Sequence, residues 1–122
     1  MNIGVIRLAI EEASKSTHKH RVAAVVFKGN RIISSGHNAV RANKINPKYK
    51  VYNEALHAEQ AALLNLDWSK LRGYSILVVR VNGSGKLIMS KPCSVCEKLL
   101  RHIGIKNVYY SNENGEIILE KF

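Results

Sequence analysis

The residues able to do chemistry in this chain fall in two short stretches. The first is His57-Ala58-Glu59; the second is Pro92-Cys93-Ser94-Val95-Cys96. Together they offer one imidazole, two thiolates and one carboxylate. Imidazole nitrogen and thiolate sulfur are good zinc ligands, and a structural zinc site nearly always takes four ligands from the protein. These stretches supply three. Three protein ligands with an open fourth position is the catalytic pattern, in which water enters and loses a proton near neutral pH. Glu59, two residues from His57, is placed to move that proton. Two blander readings compete. One is a four-ligand structural site with His18, His20, His37 or His102 as the fourth member, although none of these sits beside either stretch. The other is a thioredoxin-like redox pair, which His57 and the proline before Cys93 disfavour.

The elements that must position these residues follow from periodicity. Ile3, Ile6, Ile10 and Ala13 recur at helical spacing, with Glu11, Glu12 and Lys15 on the wet side. They predict a first helix from Asn2 to Ser16, with Asn2 as a cap. Val22 to Phe27 is apolar without alternation, as suits a strand covered on both faces. Gly29-Asn30 turns the chain back into an antiparallel partner, Arg31 to Ser35. His57 to Leu66 reads as a second helix, rich in alanine and leucine, so the first motif lies in a helix's opening turn. Tyr74 to Val81 is a second apolar strand, and Lys86 to Met89 pairs back briefly. Pro92 suits the first position of a third helix, which Gly104 ends. Cys93 and Cys96 are then one turn apart and point at one ion. The positive end of that helix favours thiolate over thiol. Asn107 to Ser111 and Ile117 to Leu119 are strands joined by a short Asn-Gly turn, hence antiparallel.

Between the second strand and the second helix runs a long irregular stretch, Arg41 to Asn53. Loops of this length are often functional. Lys44, Lys48 and Lys50 suit a phosphate, and Tyr49 or Tyr52 a stacked base; a merely solvated loop is the competing reading. The 122-residue chain is long enough for one domain with its own core. It carries 19 basic against 9 acidic residues, and no acid between Ala13 and Asn53. That balance favours an anionic partner, a phosphorylated nucleotide or a nucleic acid, over which a bare solvated basic surface is the alternative. No apolar run approaches the ~20 residues that span a bilayer, so no membrane partner is expected. Two cysteines, both absorbed by the metal reading, leave no disulfide framework and point to a reducing cytoplasm.

The pattern H-x-E followed by P-C-x-x-C resembles the zinc-dependent cytidine and deoxycytidylate deaminase superfamily. His57, Glu59, Pro92, Cys93 and Cys96 stand at its positions, and the order of elements matches over essentially the full chain. The resemblance implies an α/β fold of three layers, α-β-α, around a mixed five-stranded sheet with its last strand antiparallel, forming one catalytic domain over residues 1–122. It implies Zn2+ on His57, Cys93 and Cys96, Glu59 as the proton carrier, and Ala58 in the substrate site. Asn38, after the second strand, matches an asparagine that contacts the substrate sugar; an Asx turn is its alternative. The implied reaction is hydrolysis at a cyclic amidine, taking a cytosine nucleoside or nucleotide (cytidine, CMP or dCMP type) to the uracil form with release of ammonia. Adenine or guanine is not distinguished by the metal motif. The resemblance also implies a homo-oligomer. The branch acting on tRNA or single-stranded DNA usually has a helix before a parallel last strand; the hairpin here resembles the free-cytidine branch, whose first ligand is usually cysteine. A nucleic-acid base deaminase and a non-catalytic zinc-stabilised binding protein are therefore the competing functions, the latter disfavoured by the intact Glu59.

Overall fold

A computed structural model describes residues 1–39 and 56–122. Its centre is β1 (Arg21–Lys28) and β3 (Ser75–Val81), the two apolar runs of the sequence. β2 (Arg31–His37) flanks β1, and β5 (Asn107–Ser111) and β6 (Ile117–Lys121) extend the sheet beyond β3 in the order β2-β1-β3-β5-β6. Among the described strands only the β3–β5 pair is parallel; β6 returns antiparallel on β5, as the short turn requires. That turn is held by Asn112 Oδ1, which accepts from the backbone N–H of Asn114 and Glu116 at 2.9 Å each. A two-residue strand, β4 (Leu87–Ile88), pairs with the end of β3 and makes the sheet six-stranded, one more than the five main strands expected.

Helices cover both faces. α1 (Ile3–Ser14) lies on one; α2 (Ala58–Leu63) and α3 (Ser94–Ile103) lie on the other. The alternation of side chains in a strand sorts the core accordingly. Ala23, Val25 and Phe27 with Leu77, Val79 and Val81 face α1, whereas Ala24, Val26, Ile76 and Val78 face α2 and α3. Both clusters are closed to water, which is why neither strand alternates in sequence. Each fully buried Val or Leu contributes about 1.5–3 kcal/mol.

Several expectations shift. α1 is capped by Asn2, whose Oδ1 accepts from the Gly4 N–H at 2.7 Å, but its buried face is Val5, Ala9, Glu12 and Ala13. Ile3 is 69% exposed. The small Ala9 and Ala13 let the helix lie close on the sheet, and Glu12 is drawn inside by partners from β2: Ser35 Oγ donates to it at 3.1 Å and His37 Nδ1 contacts it. α2 stops at Leu63 rather than Leu66, because the Trp68 indole N–H takes the Leu63 carbonyl at 2.9 Å. Pro92 precedes the cap of α3 instead of opening the helix. Cys93 holds the cap in an extended conformation, for which the chain must first leave the sheet.

Candidate active site

The three metal-ligand candidates converge. His57 caps α2, its backbone N–H donating to Gln60 Oε1 at 3.0 Å. Cys93 caps α3 and Cys96 lies in its first turn. His57 Nδ1 stands 3.1 Å from Cys96 Sγ and 3.6 Å from Cys93 Sγ, and all three ligand atoms lie within 4.8 Å of one another. A tetrahedral zinc with ordinary bond lengths separates nitrogen from sulfur by about 3.6 Å, so this donor set fits zinc with a small opening of the His57–Cys96 pair. No fourth histidine, cysteine or carboxylate joins the group among the described residues. His37 contacts Glu12, and His20 contacts Arg80; the four-ligand arrangement is therefore absent from these residues.

The segment delivering the cysteines is clamped from below. Ser90 Oγ donates to the Val78 carbonyl at 2.7 Å, and Ser111 Oγ donates to the Ile88 carbonyl at 2.6 Å. Ser90 Oγ in turn accepts from the Ser111 N–H at 2.8 Å. These buried hydroxyls tie β3, β4 and β5 together just before Pro92, so α3 starts from a fixed point. On the other side Gly36 fixes α2: a Cβ there would stand 2.5 Å from the Ala62 nitrogen. The helix carrying His57 and Glu59 thus rests directly on the β2 backbone.

Glu59 lies in the first turn of α2 and is only 4% exposed. Burial pushes its carboxyl above the usual range, against hydrogen bonds from its own backbone N–H and from Cys96. Burial, with Glu59 and Cys93 adding to it, likewise pushes the Cys96 thiol far up. Burial and then the nearby His18 push the His57 imidazole down, toward the neutral form that ligates metal. Two acids that resist ionisation beside a neutral imidazole are what a divalent cation would reverse, by charge alone.

The group opens on a cavity of about 290 Å³, whose wall includes His57, Ala58, Glu59, Cys93 and Asn38. Asn38 reaches it with most of its bonding used. Its Oδ1 accepts from Ser16 Oγ at 2.6 Å and from the Val22 N–H at 3.0 Å, and its Nδ2 donates to the His20 carbonyl. It pins the chain before β1 to the end of β2, and among the described residues one N–H of the amide is left over. Lys44, Lys48, Lys50, Tyr49 and Tyr52 lie outside the described residues. The wall also holds residues that the motifs do not announce: His18, Arg80 and Lys91. Arg80 had a signal, being the lone charge within the apolar run of β3.

Comparison with known proteins agrees with this geometry. The family model for the cytidine and deoxycytidylate deaminase zinc-binding region matches residues 2–112. Among solved structures, the cytidine deaminase from Burkholderia pseudomallei superposes with a TM-score of 0.72 at 19% identity, covering 99% of this chain and 92% of that one. The dCMP deaminase from the cyanophage S-TIM5, in apo form, gives 0.60 at 23% identity over 93% and 86% of the two chains. The diaminohydroxyphosphoribosylaminopyrimidine deaminase/reductase from Thermotoga maritima gives 0.57 at 24% identity, covering 90% of this chain and 29% of that one. No curated protein sequence matches the chain. With the family match spanning both ligand stretches and nearly all of the sheet, the chain belongs to the cytidine and deoxycytidylate deaminase family.

Proposed function

We propose that the protein is a zinc-dependent hydrolytic deaminase that converts a cytosine-containing nucleoside or nucleotide to its uracil form. The observation that carries this is the buried Glu59 carboxyl in the wall of the cavity beside the converging His57, Cys93 and Cys96. A purely structural site has no use for a carboxylate that ligates nothing and is costly to bury. His57, Cys93 and Cys96 would hold the ion, and zinc bound there supplies the Lewis acidity that makes water a nucleophile at neutral pH. Glu59 accepts the proton of the attacking water. It returns that proton to the ring nitrogen, then takes the remaining proton from the hydroxyl newly attached to C4 and passes it to the leaving amine. The C4–O bond forms, the C4–N bond breaks, and ammonia departs. One carboxyl can serve all these steps because the ring nitrogen and the amine lie on the same edge of the reacting ring.

The net charge of +10 supports a second reading, deamination of a base within a nucleic acid. The antiparallel β6 supports the first, because it resembles the tail of the free-cytidine branch. A panel of cytidine, CMP, dCMP, adenosine, guanine and a single-stranded oligonucleotide, assayed for ammonia with zinc-loaded protein, decides between them. Turnover of a free cytosine compound is expected. Turnover confined to the oligonucleotide, or to a purine, would overturn the assignment.

A further inference from the structure

Arg80 is a charged group in the cavity wall whose chemistry the deaminase reaction leaves unused. It sits on β3 opposite Val22 of β1 and Ile88 of β4, so neighbours on both sides fix its backbone. It follows Val78 on the same face of the sheet, and both line the cavity. One terminal N–H donates to His20 Nδ1 at 2.6 Å. That bond holds His20 as the acceptor, in its neutral form, so the guanidinium charge is not neutralised there. Arg80 Nε is buried and has no hydrogen-bond partner among the described residues. No carboxylate there lies within ion-pair distance of it either, although Lys91 at the same wall is paired with Glu120 at 3.5 Å. A guanidinium partly removed from water, with a buried N–H unpaired, is costly unless an anion completes it.

The geometry points to Arg80 as the phosphate-recognition residue of the cavity, making a cytosine mononucleotide the preferred substrate over the nucleoside. Guanidinium is suited to this, since it offers several N–H donors in a plane matched to phosphate oxygens. Its location also fits, at the carboxyl end of a central strand, where α/β sheets bind ligands. The half-buried position favours a mononucleotide over a polymer, whose backbone would be met by exposed cations instead. This inference rests on the deaminase reading for the identity of the base, but not for the anion.

The test is a calorimetric titration of the zinc-loaded protein with dUMP and with deoxyuridine, which needs no turnover. Loss of a charge-assisted hydrogen bond costs roughly 10- to 100-fold in affinity, so dUMP should bind more tightly than deoxyuridine by that factor. Arg80→Gln should abolish most of the preference while leaving deoxyuridine binding little changed, and Arg80→Lys should restore part of it. Equal affinity of the wild-type protein for the two ligands would overturn the inference even if the variants fail to fold. So would a preference that survives Arg80→Gln, or an oligonucleotide that binds more tightly than dUMP with a steep salt dependence. If no cytosine compound is turned over and the Arg80-dependent preference persists, the subsite stands and the deaminase reading falls.

Discussion

Gly36→Ala isolates the contact on which the position of Glu59 depends. The added methyl would meet the Ala62 nitrogen at 2.5 Å and the Ala61 carbonyl carbon at 2.7 Å, where ordinary contact begins near 3.4 Å. These two backbone atoms and the Ala61 Cβ at 2.7 Å are the obstacles, so no flexible side chain can swing aside. To restore contact α2 must retreat by the difference, 3.4 − 2.5 = 0.9 Å. Overpacking of this kind costs about 1–3 kcal/mol, or about 4–12 °C in Tm for a chain of this size. A catalytic cost comes with it, because Glu59 precedes Ala62 by less than one turn and moves with it. A misplacement of about 1 Å can cost ~10²-fold in rate. Gly83→Ala is the control, since nothing lies within 4 Å of a Cβ there. Thermal unfolding and ammonia release should be measured on both variants. Gly36→Ala with wild-type Tm and turnover would refute the claim that β2 sets the height of α2.

Cys96→Ala should lose zinc, measured by metal analysis of protein purified without added metal, and the melting temperature should fall with it because the ion joins the starts of α2 and α3. Full zinc occupancy in that variant would contradict the ligand set. The Glu12 carboxyl gives a separate acid dependence. Burial raises its pKa, but hydrogen bonds from His37 and Ser35 and the charge of Lys15 outweigh this and leave it below its ordinary value of 4.5. A lowered folded pKa contributes stability that is complete above the unfolded value and is lost as pH falls through the folded one. Wild-type Tm should therefore drop faster below pH 4.5 than that of Glu12→Gln, and parallel curves would remove Glu12 from this role.

Metal chemistry is what made the site readable in the sequence. It demands particular residue types at fixed spacing, so His57, Glu59, Cys93 and Cys96 stood out, and buried central strands announced themselves as unbroken apolar runs. What stayed hidden depends on partners far away in the chain. Glu12 looks like a surface residue until β2 brings His37 and Ser35 to it. Ile3 looks like core, yet the helix turns its smaller residues inward because Ala9 and Ala13 allow a closer approach. The Ser90–Ser111 clamp joins residues 21 positions apart and leaves no local pattern. Asn38 was legible as special from its place after β2, but its bonds to Ser16, His20 and Val22 show a bracing duty that position alone does not reveal. Arg80 was visible as an oddity in an apolar strand; its orphaned Nε became apparent only once β1 and β4 enclosed it.

The central claim is that Glu59 carries protons while His57, Cys93 and Cys96 hold zinc, and Glu59→Gln separates the two. The amide preserves the size of the side chain but cannot shuttle a proton. Zinc content and ammonia release from dCMP should be measured on the same preparation of wild type and variant. The expected result is unchanged zinc with turnover reduced by ~10²–10⁴-fold or more. Turnover near that of the wild type, with zinc still bound, would contradict the account.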